Sequence, residues 1–135
     1  MKKFNNLEEM QPYLNEKTKT YVFFESGKLL DIEITFDLII NGNILARDIN
    51  AQSIEAWDIT ARNVDACDID AWDIKAKRLY ASCDIRAWNI EATEIRFYAI
   101  CHASKNIICE SIEGRHLNSK YFVLDGNVII IRRKK

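Results

Sequence analysis

The sequence predicts an all-β solenoid, because a branched aliphatic residue and an alanine each recur every five residues. Alanine follows the aliphatic residue by two positions in every unit, from Ala46 to Ala81, and the aliphatic positions are Ile44, Ile49, Ile54, Ile59, Val64, Ile69, Ile74 and Leu79. A helix needs apolar residues about 3.6 positions apart and a plain strand needs them 2 apart, so this period fits neither. It fits a coil that turns one corner per unit and points two alternate residues of each short strand inward.

The segments around the repeat divide one compact domain into three parts. Residues 1–43 lack the alanine and are expected to form an N-terminal capping segment. Asn6 is placed to begin a short helix there, and residues 21–40 are rich in the aromatic and branched residues of strands, with a turn at Ser26-Gly27. Residues 44–119 form the β-helix itself.

The repeat is interrupted twice and is followed by a closing segment. The period slips by one residue at Ser82-Cys83 and breaks again between residues 100 and 106, so we expect extra residues to bulge outward at corners. Residues 120–135 hold Asp125-Gly126 between two apolar runs, which predicts a β-hairpin. Such a C-terminal hairpin would cap the strand edges at the end of the solenoid.

Composition favours a cytoplasmic protein with little affinity for nucleic acid or membranes. The 135 residues carry a formal net charge of −1, which is unlike a basic nucleic-acid-binding protein. The N-terminus has two lysines without an apolar stretch behind them, so no signal peptide is expected. No apolar run reaches the roughly 20 residues that a transmembrane helix needs.

Neither catalysis nor metal binding is predicted. The four cysteines lack CxxC spacing, so we expect reduced thiols and no metal site; they are Cys67, Cys83, Cys101 and Cys109. The chain has no phosphate-binding loop, no GxSxG and no HExxH, and His102 lies at the second interruption, where packing explains it. We therefore expect a protein that is not an enzyme and uses no cofactor.

The unit Ile-x-Ala-x-(Asp/Asn), as in Ile69 to Asp73, resembles that of the pentapeptide-repeat family. That family's usual order is Ala-(Asp/Asn)-Leu-x-x, and the two inward residues are separated by one position in both orders. The resemblance covers residues 44–119 and implies a right-handed, four-sided β-helix with four units per coil.

Acidic residues accumulate in the first half of the repeat. Between Asp48 and Asp73 the only base is Arg62, while the acids are Asp48, Glu55, Asp58, Asp65, Asp68, Asp70 and Asp73. An acidic side of a rod can imitate the charge of a nucleic acid and bind a DNA-handling enzyme, and proteins similar to this family act on DNA gyrase. The alternative is structural: Asp or Asn two residues after alanine would bond to backbone amides at corners, as at Asp48, Asp58, Asn63, Asp68, Asp73 and Asn89.

Three tryptophans share one position of the unit. Trp57, Trp72 and Trp88 each follow an alanine, and strand alternation sends that position outward. Exposed tryptophan is typical of binding hot spots, so a partner-binding aromatic stripe is one interpretation. With four units per coil the three rings would lie on different sides as a diagonal, and Lys77 could cover Trp57 as a cation–π pair.

The sequence therefore predicts a non-enzymatic, protein-binding β-solenoid from a bacterium or a phage. Its acidic side would inhibit a DNA-binding enzyme, either a topoisomerase or a phage-defence nuclease. The alternative is a self-associating or scaffolding rod that uses its exposed aromatics, with a homodimer left open.

Overall fold

The computed structural model describes residues 1–131 and shows a parallel β-solenoid of about six turns, which confirms the predicted fold class. A 3-10 helix spans Leu7–Tyr13. The strands are β1 Lys2–Phe4, β2 Leu14–Asn15, β3 Thr20–Val22, β4 Phe24–Glu25, β5 Lys28–Leu29, β6 Asp31–Ile34, β7 Leu38–Ile39, β8 Asn43–Leu45, β9 Asp48–Ala51, β10 Ser53–Glu55, β11 Asp58–Ala66, β12 Asp68–Asp70, β13 Asp73–Ala81, β14 Ile85–Phe97, β15 Ile100–Cys109, β16 Ser111–Gly114, β17 Lys120–Val123 and β18 Val128–Ile130.

Each coil contains three five-residue units, not the four that the family resemblance implied. Ile59 pairs with Ile44 on one side and with Ile74 on the other, so neighbouring coils are 15 residues apart. The next coils are longer by one or two residues, as in the pairing of Ile90 with Ile107, and the last is longer by five or six, since Cys101 pairs with Tyr121 and Ile107 with Val128. The period of five fixes the length of a unit but not how many units close a coil, and three sides lined by isoleucine and alanine already fill the interior.

The cross-section is a triangle whose sides and corners we name A, B and C in chain order. Side A holds residues 49–51, 64–66 and 79–81; side B holds 54–56, 69–71 and 85–87; side C holds 59–61, 74–76 and 90–92. Corner AB carries residues 52, 67 and 82–83. Corner BC carries residues 57, 72 and 88, and corner CA carries residues 47, 62 and 77.

The predicted inward positions form the core. The eight aliphatic residues from Ile44 to Leu79 are buried, as are most of the alanines beside them, whereas near the end of the repeat Ile112 is only partly buried and Leu117 is 96% exposed. Ile69, for example, is 1% exposed and pairs with Ile54 in the coil before and Ile85 in the coil after. Among the described residues no charged side chain is buried. Each such aliphatic side chain contributes roughly 1.5–3 kcal/mol through burial.

The N-terminal segment winds the first turns and closes that end of the solenoid. As predicted, Asn6 begins the helix: its side chain accepts a hydrogen bond from the backbone N–H of Glu9 at 3.0 Å. Phe4, Met10 and Phe23 are buried over the first coil, and the rings of Phe4 and Phe23 lie 5.2 Å apart. The predicted turn at Ser26-Gly27 joins the antiparallel pair β4–β5.

The predicted C-terminal hairpin is wrong within the described residues. β17 and β18 both pair in parallel with β15, so they continue the solenoid by another turn. Asp125-Gly126 forms a corner instead, where a Cβ on Gly126 would collide with the backbone carbonyl of Lys105. An Asp-Gly pair suits any tight reversal of the backbone, so the local signal did not distinguish the two. Residues 132–135 of the predicted hairpin lie outside the described part of the chain.

Both predicted interruptions fall at corners. The slip at Ser82-Cys83 is at corner AB, since Ala66 pairs with Ala81 and Ile69 with Ile85. The second lies at corner BC, where the register shifts between Ala87 and Asn89. The extra residues therefore leave the inward columns aligned. No helix in residues 1–131 has the length and apolar character to cross a membrane.

Candidate functional site

Side B and its two corners bring most of the predicted acidic residues together. We call this surface, formed by residues 53–58, 68–73 and 84–89, the acidic face. The pairing places Glu55 beside Asp70, and Asp70 beside Arg86. The face holds one base, Arg86, and six carboxylates, which are Glu55, Asp58, Asp68, Asp70, Asp73 and Asp84.

Two predicted acids lie elsewhere and one member of the face was missed. Asp48 lies at corner CA, where it pairs with Arg62 at 2.8 Å, and Asp65 lies on side A between Asn50 and Tyr80. Asp84 was not predicted because the one-residue slip displaces it from the regular unit. Aligning the units on their aliphatic residues would have identified it, because Asp84 precedes Ile85 as Asp68 precedes Ile69.

The predicted corner bonding to backbone amides is confirmed for Asp58 and Asp68, and the bonds run between coils; Asp48 instead accepts side-chain bonds from Arg62 and Asn63, and Asn63 Oδ1 has no hydrogen-bond partner among the described residues. An oxygen of Asp58 accepts the backbone N–H of Asp73 at 3.3 Å, and Asp68 accepts that of Asp84 at 3.1 Å. Asp73 accepts a hydrogen bond from the side-chain amide of Asn89 at 2.9 Å. Each bond uses one carboxylate oxygen and leaves the negative charge on the face, so the structural and binding roles do not exclude each other.

Glu55 and Asp70 differ from the corner acids. Both are exposed at the centre of side B, and within the described residues neither joins a salt bridge or a side-chain hydrogen bond. Asp70 also lines a depression of 280 Å³, together with Asp68, Ile69, Asp84 and Arg86. The charge of Glu55 and Asp70 is therefore available to a partner.

The three tryptophans form a column along corner BC, not the predicted diagonal. The backbone N–H of Trp72 donates to the carbonyl of Trp57 at 2.6 Å, and that of Trp88 donates to Trp72 at 2.7 Å. The Trp57 and Trp72 rings stack with centroids 5.0 Å apart, and those of Trp72 and Trp88 lie 6.4 Å apart. With three units per coil, Trp72 covers Trp57, and the predicted cover, Lys77, lies at corner CA.

The tryptophan column is exposed on the edge of the acidic face. Trp72 is 49% and Trp88 is 57% exposed, whereas Trp57 is half-buried. Stacking hides ring faces from water but leaves the ring edges and the outer surface of the column open. The acidic face and the tryptophan column, which were alternative binding surfaces in the sequence analysis, are therefore neighbours.

Two cysteines are joined, which corrects the expectation that all four are reduced. Cys67 and Cys83 form a disulfide at corner AB with their Cα atoms 5.0 Å apart. They are 16 residues apart, which equals one coil plus the extra residue of the slip. Cys101 and Cys109 are free and buried, and burial raises the pKa of the Cys101 thiol to about 12.

The histidines take part in packing. The His102 ring stacks on Phe122 with centroids 4.7 Å apart, and one nitrogen of His116 accepts the backbone N–H of Asn118 at 3.1 Å. His116 also packs against Tyr98. His102 pairs with Arg86 in the neighbouring coil and so adjoins the acidic face, and its buried Nε2 has no hydrogen-bond partner among the described residues.

Comparison with family models, with curated proteins and with solved structures finds no match for this chain. The class of protein is therefore defined by its fold, which is a parallel β-solenoid with three units per coil.

Proposed function

We propose that this protein is a non-enzymatic binding protein that presents its acidic face and tryptophan column to the basic surface of a protein partner. The observation that carries the proposal is the juxtaposition of six carboxylates and three stacked tryptophans on one side of the rod. The fold needs only the corner acids for its hydrogen bonds. It needs neither the central acids of side B nor exposed indole rings.

The charge density supports a DNA-binding enzyme as the partner. Six carboxylates and one arginine give the face a charge of −5, against −1 for the whole chain. Three coils at about 4.8 Å each span about 14 Å, so the face carries about one net charge per 3 Å. One strand of nucleic acid carries one charge per about 3.4 Å, so a cleft that binds DNA would attract this face by the same electrostatics.

The tryptophan column would contribute binding energy that charge alone does not provide. Electrostatic complementarity mainly accelerates association, whereas buried tryptophans are frequent among the residues that dominate binding energy. Trp72 and Trp88 lie beside Asp73 and Asn89, so a partner that contacts side B also reaches the indole rings. The partner surface should therefore be basic with an apolar margin.

A kinship with the pentapeptide-repeat family is part of this proposal. The five-residue unit supports it, although the coil has three units where that family has four. With that kinship, the protein would inhibit an enzyme in a bacterial or phage-infected cytoplasm, and we propose a topoisomerase or a phage-defence nuclease as the class of target.

Binding to purified DNA gyrase and to an unrelated DNA-cleaving nuclease tests the proposal. We expect wild-type protein to bind one of them in competition with duplex DNA, with an affinity that falls steeply as salt rises. Glu55→Lys with Asp70→Lys should reduce the affinity at least tenfold. The matched control, Glu33→Lys with Asp65→Lys, changes the charge equally on side A and should have little effect.

The aromatic contribution has its own pair of variants. Trp88→Ala should weaken binding without changing its salt dependence, whereas Tyr98→Ala removes an exposed aromatic at corner AB and should leave binding unchanged. If the protein binds neither enzyme, or if the side A and side B variants bind with equal affinity, the acidic face is not the interface.

Self-association through the tryptophan column is the second candidate, favoured by the exposure of Trp72 and Trp88. Sedimentation equilibrium of wild type and Trp88→Ala distinguishes it. A wild-type dimer that Trp88→Ala converts to monomer supports this candidate, and a wild-type monomer at all concentrations excludes it.

A further inference from the structure

Corner AB holds two cysteines that the proposed function does not use, beside one carboxylate of the acidic face, Asp68. The extra residue at Ser82 brings Cys83 over Cys67, and the backbone N–H of Cys83 donates to the carbonyl of Cys67 at 2.9 Å. Adjacent parallel strands hold the two Cα atoms 5.0 Å apart. Both side chains are half-buried and so remain within reach of solvent.

Asp68 adds a third ligand at the same corner. One of its oxygens and the two sulfurs lie within 4.8 Å of one another. Its Oδ1 accepts the backbone N–H of Asp84 at 3.1 Å, which fixes the orientation of the carboxylate. Outer hydrogen bonds of this kind are how proteins hold metal ligands in place. The surrounding acidic face concentrates cations near the corner.

The geometry points to a thiolate site for a thiophilic divalent cation such as Zn²⁺, formed by Cys67, Cys83 and Asp68 once the disulfide is reduced. Two thiols lose their protons as they bind the cation, and the carboxylate is the third ligand. A tetrahedral zinc with sulfurs at about 2.3 Å holds them about 3.8 Å apart, which two cysteines on adjacent strands reach by side-chain rotation. A water molecule would take the open fourth position.

The disulfide and the metal site exclude each other, because they use the same two sulfurs. A phosphine reductant cleaves the S–S bond and becomes a phosphine oxide, with water supplying the oxygen and the two thiol protons. Oxidation by a small disulfide reverses the change: the bond between Cys67 and Cys83 re-forms and the small disulfide is reduced to two thiols. Corner AB thus binds the cation when the two cysteines are reduced and cannot bind it when they form the disulfide.

The other thiols do not compete for the cation. Cys101 and Cys109 are buried, and burial raises the pKa of both. A thiolate is needed for metal binding, and a buried thiol resists forming one. They serve as an internal reference, since alkylating reagents should modify Cys67 and Cys83 first in the folded, reduced protein.

The test uses the full chain, reduced with a phosphine, with Co²⁺ as a spectroscopic probe and a chromophoric chelator competing for Zn²⁺. We expect one equivalent of Co²⁺ with thiolate charge-transfer absorption in reduced protein and none in oxidised protein. Cys67→Ser should abolish the band, and Asp68→Asn, whose amide oxygen can still accept the Asp84 N–H, should weaken Zn²⁺ binding at least about tenfold. Glu33→Gln, on side A and outside both the cluster and the acidic face, should bind Zn²⁺ as the wild type does.

Several results would overturn the inference. Equal binding by oxidised and reduced protein would show that carboxylates alone hold the cation. No charge-transfer band in the reduced protein would show that the thiols do not bind it. Circular dichroism of each variant confirms that it is folded. Partner binding by the acidic face is measured separately with Glu55→Lys and Asp70→Lys, neither of which touches the three ligands, so the two proposals fail independently.

Discussion

Replacing Ile69 by aspartate is the most severe test of the solenoid core. Ile69 is 1% exposed in the inward column of side B, between Ile54 and Ile85. Removing a buried isoleucine side chain costs about 2–5 kcal/mol. An aspartate there would also bury a carboxylate among aliphatic groups without a partner, which adds several kcal/mol or forces protonation. Since domains of this size have about 5–15 kcal/mol of total stability, Ile69→Asp should lack a cooperative unfolding transition.

The assay is urea unfolding followed by circular dichroism, with a graded series at one position. Ile69→Val should cost about 0.5–1.5 kcal/mol and Ile69→Ala about 2–5 kcal/mol. The control is the adjacent residue on the same strand: Asp70→Asn faces outward and should change stability by less than about 0.5 kcal/mol. If Ile69→Asp unfolds at the wild-type midpoint, or if Asp70→Asn is equally damaging, the inward assignment of side B is wrong.

Three further predictions concern the corners. Reducing the Cys67–Cys83 disulfide should lower the free energy of unfolding by about 3 kcal/mol in metal-free buffer, because the bond closes a loop of 16 residues; an unchanged urea midpoint would contradict this. Arg47 hydrogen-bonds Asp31 and lowers the pKa of that carboxyl below its ordinary 3.8, so the pair stabilises the fold above that pH and its contribution is lost as the pH falls below it. The melting temperatures of wild type and Arg47→Gln should therefore converge in acid, and a constant difference would refute the pairing. Gly126→Ala should cost about 1–3 kcal/mol in chemical unfolding, since its Cβ meets a backbone carbonyl of the neighbouring coil, and a neutral result would remove that contact.

The sequence was sufficient to predict the core because packing constrains it strictly. A five-residue period with one branched and one small apolar residue determines which side chains point inward, and these positions are buried in the structure. The slips could also be placed, because the aliphatic–alanine pair resumes after each one. Asp and Asn at corners followed from their ability to accept amide hydrogen bonds.

The contacts between neighbouring coils could not be predicted, because a five-residue period does not determine the number of units in a coil. Four units would place residue 77 over residue 57, whereas three place Trp72 there. The same uncertainty concealed the pairing of Cys67 with Cys83 and the gathering of acids on side B. These are contacts between coils, and each changes with a single choice of coil length.

The three corners show which residues the fold requires and which it leaves free. At corners AB and BC an aspartate accepts a hydrogen bond from a backbone amide of the next coil, whereas at corner CA the residue in the position after alanine, Arg47 or Arg62, forms a salt bridge with an aspartate. That position is occupied differently at each corner: Gln52 and Cys67 at AB, Arg47 and Arg62 at CA, and tryptophan in three successive coils at BC. The solenoid folds with other polar residues at the same position of the unit, such as Gln52 at corner AB. Because exposed indole rings have an unfavourable free energy in water, their repetition beside the acidic face supports the partner interface that we propose.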